Sequence, residues 1–193
     1  MGEIHKTYAV FGLARSGLSA VRALTARGYQ VYAWDDKLEA REAAQAAGAV
    51  LKQLDYETLK DCAALVLSPG VSLYYPEPHP VVQAAHEAGI SVICDIQLWA
   101  HFYPDRRIIG ITGTNGKSTT TALIHHVLKE SGYKVMMGGN IGRPVFDFVI
   151  CDPETLYVLE LSSFQLDLID DLLLEQALFL NMSEDHLDRH GTM

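Results

Sequence analysis

The feature that most constrains the fold is the segment GITGTNGKST at residues 110–119, which follows an apolar strand pattern and opens a helical pattern. A glycine-rich turn at this place lets successive backbone N–H groups point to one spot, and the start of the helix adds partial positive charge. Lys117 can then reach the β and γ phosphates of a nucleotide, and the hydroxyl of Ser118 or Thr119 can join the shell of a Mg²⁺ ion. The segment therefore predicts a phosphate-binding loop of the P-loop kind.

This segment departs from the standard P-loop pattern at one position. The spacing Gly-x-x-x-x-Gly-Lys requires glycine where this chain has Ile111, and the nearest glycine is Gly113. The alternative interpretation is a glycine-rich turn that binds no ligand, but the strand, the Lys-Ser-Thr run and the helix together favour phosphate binding. The predicted ATP-binding residues are Gly113, Thr114, Asn115, Gly116, Lys117, Ser118 and Thr119.

Strand and helix patterns alternate along the whole chain, which predicts an α/β fold built on parallel sheets. The stretch at 95–107 interrupts this alternation and contains Pro104, so we expect an irregular boundary there. We predict a Rossmann-like parallel-sheet domain over residues 1–94 and, over 95–193, a truncated P-loop ATPase domain. The predicted strands cover 8–11, 31–34, 65–67, 91–94, 108–111, 134–137, 157–161 and 177–180, and the predicted helices cover 17–27, 38–47, 81–88 and 117–130.

The bulk properties of the chain exclude several classes of protein. The formal net charge of −9 argues against wholesale binding of nucleic acid. No apolar run approaches the roughly 20 residues that span a bilayer, and the first residues lack the pattern of a secretory signal. Three widely spaced cysteines without a Cys-x-x-Cys pair indicate reduced, buried thiols at Cys62, Cys94 and Cys151. These features predict a cytoplasmic protein without membrane insertion.

A second glycine loop, GLARSG at residues 12–17, follows the first predicted strand. It is similar to a dinucleotide fingerprint in which Ala14 replaces the middle glycine, and Asp35 ends the next strand, near the spacing of an acid that binds ribose. The loop offers backbone N–H groups at a helix start, with Arg15 and Ser16 as side-chain donors. These residues suit a nucleoside diphosphate as well as a dinucleotide, and a turn without a ligand is the third possibility.

Polar residues also follow the predicted strands of the second half of the chain. Glu160 lies near the end of the strand at 157–161, and His186 follows the strand at 177–180. In an open α/β sheet, residues past the carboxyl ends of the strands converge on the ligand crevice, so both side chains could face the phosphates. The alternatives are a solvated strand-end acid and an ordinary loop histidine. Asn140, in GGNIG at 138–142, belongs either to a plain turn or to a ligand contact.

Taken in order, these segments resemble the motifs of the Mur ligase family over essentially the whole chain. They are the glycine loop at 12–17, SPG at 68–70, GTNGKST at 113–119, GGNIGRP at 138–144, LELSSFQL at 159–166 and N-x-x-x-DH-x-D at 181–188. GTNGKST also suits other Mur ligases and folylpolyglutamate synthase, whereas LELSSFQL and GGNIG resemble the members that add D-glutamate. The Rossmann-like first domain argues against folylpolyglutamate synthase, which begins directly with the P-loop.

The resemblance implies an enzyme of three domains. The first would bind uridine diphosphate, the central one would bind ATP, and the last would help to hold the incoming amino acid. The implied reaction is amide-bond formation through an acyl phosphate, with ATP and Mg²⁺ as cofactors. UDP-N-acetylmuramoyl-L-alanine and D-glutamate are the implied substrates, and neither a nucleic acid nor an obligate protein partner is implied.

The resemblance also assigns roles to individual residues. Those near the uridine nucleotide are Arg15, Ser16, Asp35, Asp36, Lys37 and Ser68. Those along the muramoyl-alanine end are Asn140, Ser162, Gln165 and His186. The implied catalytic residues are Lys117, Glu160 and His186, and the implied metal ligands are Ser118, Glu160 and His186.

The family also uses a carbamylated lysine shortly after the Asp-His motif, and this chain has no residue after Met193 to supply it. We therefore expect the isolated chain to form no amide bond, to hold Mg²⁺ only together with a nucleotide, and to place His186 in a mobile or displaced terminal segment. Three alternatives stay open: a Mur ligase for another amino acid, an NAD-dependent oxidoreductase joined to a P-loop domain, and a non-catalytic nucleotide-binding module.

Overall fold

The computed structural model describes residues 6–149 and 153–192. The chain divides into two compact units, Met1–Asp95 and Ile96–Met193, and this division lies next to the predicted boundary. In the first unit, strands and helices alternate. Its elements are β1 (Thr7–Phe11), α1 (Arg15–Ala26), β2 (Gln30–Trp34), α2 (Leu38–Ala46), β3 (Val50–Leu51), α3 (Tyr56–Leu59), β4 (Cys62–Leu67), α4 (Pro80–Glu87) and β5 (Ser91–Ile93).

The strands of the first unit form one parallel sheet in the order β3-β2-β1-β4-β5. Helix α1 packs on this sheet through Ala20, Val21 and Leu24, which are fully buried. The chain runs outward from β1 to β3 and then returns to β4, so the strand order reverses between β1 and β4. Ligands of open α/β sheets bind at the carboxyl ends of the strands at such a reversal. The glycine loop at 12–17 and the SPG segment at 68–70 both lie there.

The second unit contains a smaller parallel sheet in the order β7-β8-β6-β9. The predicted α/β fold with parallel sheets is therefore confirmed. The remaining elements are α5 (Asp95–Phe102), β6 (Arg107–Thr112), α6 (Lys117–Glu130), β7 (Val135–Gly139), β8 (Leu156–Glu160), α7 (Ser163–Leu166), β9 (Gln176–Phe179) and α8 (Leu187–His190), with a 3-10 turn at Val145–Asp147.

The core of the second unit holds the carboxyl ends of its strands in place. Strand β6 lies between β8 and β9, so Thr112, Glu160 and Phe179 end at the same edge of the sheet. Helix α6 crosses one face and buries apolar side chains against β6 and β8. The residues of this cluster are Ile109, Ile111, Leu156 and Val158, with Ile124, Leu128, Val135, Leu178 and Leu180 packed against them.

The prediction that the stretch at 95–107 is irregular is wrong, because most of it is the helix α5, although the division between the two units does lie at its start. Ile96, Leu98 and Trp99 are almost completely buried, and burial of such side chains stabilises a helix more than local sequence pattern does. The Trp99 ring contacts the Tyr157 ring at a centroid distance of 5.0 Å. Pro104 comes after the helix has ended and therefore does not interrupt it.

The predicted strands and longer helices are all present, with ends that differ from the prediction by at most three residues. Apart from α5, the elements that the sequence pattern did not predict are short. Strand β3 has two residues, and α3, α7 and α8 have four residues each. Such elements are too short to show a period, so only their capping residues could have marked them.

Two predictions from composition concern thiols and the membrane. Cys62 and Cys94 are buried free thiols, whereas Cys151 lies outside the described residues. Burial raises the pKa of the Cys62 thiol to about 11, which keeps it protonated and unreactive. Across residues 6–149 and 153–192, no helix combines the length and the apolar character needed to cross a bilayer.

Candidate functional site

The phosphate loop joins the end of β6 to the start of α6. Gly116 is the N-cap of this 14-residue helix, with a left-handed φ of 87°, and no side chain in the described part of the chain caps the helix start. The first N–H groups of an α-helix lack intrahelical partners, and an uncapped start leaves them to bind an anion. The loop therefore presents N–H donors and the positive end of the helix dipole at one place.

Lys117 places its ammonium group inside this loop. Its Nζ donates to the carbonyl oxygen of Gly113 at 2.6 Å and to that of Thr114 at 2.9 Å. These are neutral acceptors, and charged phosphate oxygens form stronger hydrogen bonds with an ammonium group. A bound phosphate could therefore draw Lys117 away from the loop carbonyls at little cost.

The loop is tied to the segment that follows β9. The Asn181 side chain accepts from the Asn115 N–H at 2.9 Å and donates to the Asn115 carbonyl at 2.9 Å. The Thr114 hydroxyl accepts from the Ser183 N–H at 2.9 Å and donates to the Ser183 carbonyl at 3.2 Å. The Thr114 N–H also donates to the Asn181 carbonyl at 3.0 Å. The Asn181 side chain thus holds the backbone of the phosphate loop, and the Thr114 side chain holds the backbone of the segment after β9.

Gly113 explains why the loop departs from the standard spacing. Its φ is 139°, and a Cβ built on it would meet Asn181 and Leu180 atoms at 3.0–3.1 Å. Glycine is needed where the chain adopts such a φ and where another backbone approaches closely. The glycine therefore stands at the point where the segment after β9 contacts the loop, and Ile111 instead belongs to the buried core of β6.

Replacing Gly113 by alanine should disturb this contact as well as strain the backbone. Left-handed and related conformations cost non-glycine residues roughly 1–3 kcal/mol. Gly132 is a matched control, because its φ is 85° and no atom of the described residues lies within 4 Å of a Cβ placed there. We expect both variants to unfold at lower temperature but only Gly113→Ala to lose affinity for ATP. Equal ATP affinity in the two variants would contradict a role of Gly113 in the loop contact.

A buried carboxylate lies beside the phosphate loop. Glu160 ends β8 with 1% of its surface exposed, and its Oε2 accepts from the Ser118 hydroxyl at 2.8 Å. Its Oε1 accepts from the Asn140 side-chain amide at 2.9 Å, and its backbone carbonyl accepts from the Asn140 N–H at 2.9 Å. Gly139, with φ 97°, permits this approach, since a Cβ there would lie 2.5 Å from the Glu160 carbonyl oxygen. The structure therefore brings the three predicted residues together.

The chemistry of this pair fits Mg²⁺ when a nucleotide supplies further ligands. Mg²⁺ prefers oxygen ligands in octahedral geometry and is usually bound by one or two protein oxygens, phosphates and waters. Ser118 and Glu160 offer such oxygens at the start of α6, next to the loop. No cluster of three or more His, Cys, Asp or Glu side chains suited to a metal ion occurs in the residues that the structure describes.

A cavity of about 660 Å³ lies between the phosphate loop and the C-terminal segment of the second unit. Lys117, Asn140, Ser162 and His186, all predicted from the sequence, line it. His186 lies in the wall of the same cavity as Lys117. The expectation that its segment is mobile or displaced stays a prediction.

The C-terminal wall of the cavity packs around Phe164. The His186 ring lies 4.9 Å from the Phe164 ring, the His190 ring lies 5.4 Å from it, and the Arg189 guanidinium lies 5.0 Å above it. Partial burial lowers the pKa of Arg189, while Asp167 opposes this shift. His186 has a φ of 50°, in the left-handed region that histidine tolerates better than most residues. The Phe164 ring therefore sets where the His186 imidazole lies.

Ser162 and Gln165 form the capping box of α7. The Ser162 hydroxyl accepts from the Gln165 N–H at 3.3 Å, and the Gln165 side-chain oxygen accepts from the Ser162 N–H at 3.0 Å. Gln165 is 2% exposed, whereas Ser162 reaches the cavity. Their first role in this structure is therefore to begin the helix that carries Phe164, a pattern that the spacing Ser-x-x-Gln could have revealed.

In the first unit, Asp35 holds the glycine loop. Its carboxylate accepts from the Leu13 N–H at 2.6 Å and from the Lys37 N–H at 2.9 Å. Ala14 is the N-cap of α1, and no side chain in the described residues caps that helix start. The carboxylate thus fixes the loop that leads into α1, and this helix begins at the end of the sheet where the strand order reverses.

The other predicted uridine residues surround the same end of the first sheet. Arg15, Asp36 and Lys37 are exposed, and Ser16 and Ser68 are partly exposed. Ser68 follows β4, and its N–H donates to the Phe11 carbonyl at 2.9 Å, which holds it against the end of β1. These side chains can reach a ligand at this place, and their individual contacts remain predictions.

Asn181 contacts the phosphate loop, but the sequence analysis gave it no role in the site. It stands at the start of the N-x-x-x-DH-x-D segment, but its hydrogen bonds to Asn115 join residues 66 positions apart. Only its place just after a strand of the second sheet signalled a site residue.

Both units match models of one protein family. Residues 6–94 match the model described as Mur ligase MurD-like, N-terminal domain, and residues 111–193 match the model described as Mur ligase middle domain. Among curated proteins, UDP-N-acetylmuramoylalanine--D-glutamate ligase of Phenylobacterium zucineum (strain HLK1) is 52% identical over 194 residues, which cover 97% of this chain and 41% of that protein. The protein of the same name from Caulobacter sp. (strain K31) is 50% identical, with the same coverage. The chain spans about two fifths of the length of these relatives.

Solved structures show the same fold at low identity. UDP-N-acetylmuramate:L-alanyl-gamma-D-glutamyl-meso-diaminopimelate ligase from Neisseria meningitides matches with a TM-score of 0.56 and 19% identity, over 95% of this chain and 63% of that one. UDP-N-acetylmuramate-alanine ligase from Thermotoga maritima matches with a TM-score of 0.54 and 17% identity, over 97% of this chain and 44% of that one. At these identities, the likeness concerns the fold alone.

Proposed function

Because this chain belongs to the Mur ligase family, we propose that it is part of an ATP-dependent ligase that adds D-glutamate to UDP-N-acetylmuramoyl-L-alanine. The use of ATP is supported by one observation: Lys117, Ser118 and the buried Glu160 lie together at the uncapped start of α6. The choice of D-glutamate follows from the names of relatives about half identical to the chain. Such a ligase, with water-soluble nucleotide substrates, would act in the cytoplasm in peptidoglycan precursor synthesis.

In the proposed reaction, the phosphate loop binds the nucleotide and orients its terminal phosphate. The N–H groups at the start of α6 and the Lys117 ammonium offset the negative charge that spreads over the transferring phosphoryl group. Ser118 and Glu160 would hold Mg²⁺, which supplies charge neutralisation and a template for the phosphates. The alanine carboxylate then attacks the terminal phosphorus of ATP, and ADP leaves. The amine of D-glutamate attacks the acyl carbon of the resulting acyl phosphate, phosphate leaves, and the nitrogen loses a proton to give the amide.

The cavity of the second unit suits the muramoyl-alanine end of the substrate. Its lining includes Lys117 of the phosphate loop. It also includes three polar side chains from other segments, those of Asn140, Ser162 and His186. The side-chain amide of Asn140 already donates to Glu160, so it would link the metal ligand to the substrate side. His186 would help to hold a second metal ion, provided that an anionic ligand such as a carbamylated lysine joins it, because a histidine alone is a poor ligand for Mg²⁺.

In the first unit, we propose a site for the uridine diphosphate. The uncapped start of α1 offers N–H groups to a diphosphate, as the start of α6 does to the phosphates of ATP. Calorimetric titration of the chain with ATP and Mg²⁺, with UDP and with NADH tests both sites. Saturable binding of ATP and UDP, without binding of NADH, is the expected result. Binding of NADH without UDP would favour an oxidoreductase and contradict the proposal.

Replacing Asp35 by alanine should weaken binding of UDP without unfolding the first unit. The change removes the acceptor that holds the Leu13 and Lys37 N–H groups, so the loop before α1 loses its fixed shape. A hydrogen bond to a charged group contributes about 1.5–3 kcal/mol, so we expect the affinity for UDP to fall at least about tenfold. Asp61→Ala, at an exposed turn of the same unit, is the control. Unchanged UDP affinity in the Asp35 variant would show that this loop does not bind the nucleotide.

A further inference from the structure

We propose that Asn181 is a positioning residue that holds the phosphate loop in the conformation that accepts ATP. This inference rests on the function proposed above and goes beyond it, because Asn181 contacts the loop rather than the reacting groups. Its side-chain amide pairs with both the N–H and the carbonyl of Asn115, each at 2.9 Å. Two hydrogen bonds to one residue fix the orientation of the peptide groups on either side of it.

The orientation at Asn115 matters because this residue directly precedes the N-cap of α6. While the Asn115 carbonyl oxygen accepts a hydrogen bond from the Asn181 side-chain amide, it is held away from the phosphates, which its partial negative charge would repel. The Asn115 N–H is also occupied, which leaves Gly116 and the first turn of α6 as the anion-binding groups. Asn181 therefore selects which backbone groups face the nucleotide.

The choice of side chain at position 181 follows from the same geometry. Asparagine carries one acceptor and two donors on a single planar group, so it can satisfy an N–H and a carbonyl of the same residue. Aspartate offers only acceptors when it is ionised, and alanine offers neither. Asn181 also belongs to the segment that continues through Ser183, which pairs with Thr114, to His186 in the cavity wall. The hydrogen bonds between Asn181 and Asn115 thereby connect the phosphate loop to the cavity wall where we propose that the substrate binds.

Two variants of this 21.3 kDa chain test the proposal by NMR hydrogen exchange and by calorimetry with ATP and Mg²⁺. In Asn181→Ala, we expect the Asn115 amide to exchange faster and ATP to bind about tenfold more weakly, as for the loss of one or two neutral hydrogen bonds. In Asn181→Asp, the carboxylate still accepts from the Asn115 N–H, so that amide should stay protected. ATP affinity should nevertheless fall at least about tenfold, because the donor is lost and a negative charge is added.

The control is Gln176→Ala, which removes an exposed side-chain amide from β9 without touching the loop. A lower ATP affinity of the alanine variant at an unchanged melting temperature separates positioning from a merely structural role, in which affinity and melting temperature would fall together. ATP affinity equal to that of the wild type in either folded variant would overturn the inference. If the wild type does not bind ATP, the proposed function is contradicted instead. In that case hydrogen exchange still tests the inference, because an unchanged exchange rate of the Asn115 amide in Asn181→Ala would show that Asn181 does not hold the loop.

Discussion

Replacing Lys117 by alanine is expected to slow phosphoryl transfer by the complete gene product about 10²–10³-fold, the usual cost of losing one charge stabiliser in an active site. The Lys117 ammonium lies within the phosphate loop, 2.6 Å from the Gly113 carbonyl oxygen, and no other lysine belongs to the loop at 113–119. The substrate-dependent release of phosphate from ATP measures this step. The fold should survive, because the ammonium group of Lys117 donates to carbonyl oxygens of its own loop, those of Gly113 and Thr114, and not to the core of the sheet.

The matched control for this variant is Lys129→Ala. Lys129 lies in the last turn of the same helix and is exposed, so its loss removes the same charge from α6 at a distance from the loop. We expect the control to release phosphate at the wild-type rate. Near-wild-type rates in Lys117→Ala would show that the loop does not act on the transferring phosphate.

Replacing Glu160 by glutamine is expected to weaken the use of Mg²⁺ by roughly 10- to 100-fold, while the protein stays at least as stable. The amide oxygen can still accept from Asn140, and the amide nitrogen can donate to the Ser118 hydroxyl, so the packing of this buried side chain is kept. What disappears is a carboxylate that is 1% exposed and carries a desolvated charge. Activity measured against Mg²⁺ concentration, together with the melting temperature, separates the two effects.

Glu130→Gln, at the exposed end of α6, is the control for this loss of charge. It should leave both the Mg²⁺ dependence and the melting temperature unchanged. A Glu160→Gln variant with wild-type Mg²⁺ dependence would remove Glu160 from the metal site. A strongly lowered melting temperature would instead assign the carboxylate to the stability of the fold.

The sequence predicted those parts of the structure in which neighbouring residues determine the local conformation. The long strands and helices repeat apolar residues over enough positions to show their period, and the resemblance to the Mur ligase family is confirmed by matches to both units. Lys117, Ser118 and Glu160 could be predicted because a P-loop and the carboxyl end of a neighbouring parallel strand must meet at one edge of the sheet.

The features that escaped prediction depend on contacts between distant residues. The stretch around Trp99 was predicted to be irregular because it contains Pro104, whereas burial against Tyr157 makes it a helix. The reason for glycine at position 113 and the role of Asn181 both depend on the approach of a segment about 66 residues away. No local pattern reports such an approach.

A ligase assay of the complete gene product tests whether this chain is part of a ligase that adds D-glutamate. The protein is incubated with UDP-N-acetylmuramoyl-L-alanine, ATP, Mg²⁺ and, in separate reactions, D-glutamate, L-glutamate or L-alanine, and the products are identified by mass. We predict that D-glutamate alone yields an amide product, with one phosphate released for each amide formed. Amide formation with another of these amino acids but not with D-glutamate, or no amide formation at all, would contradict the account.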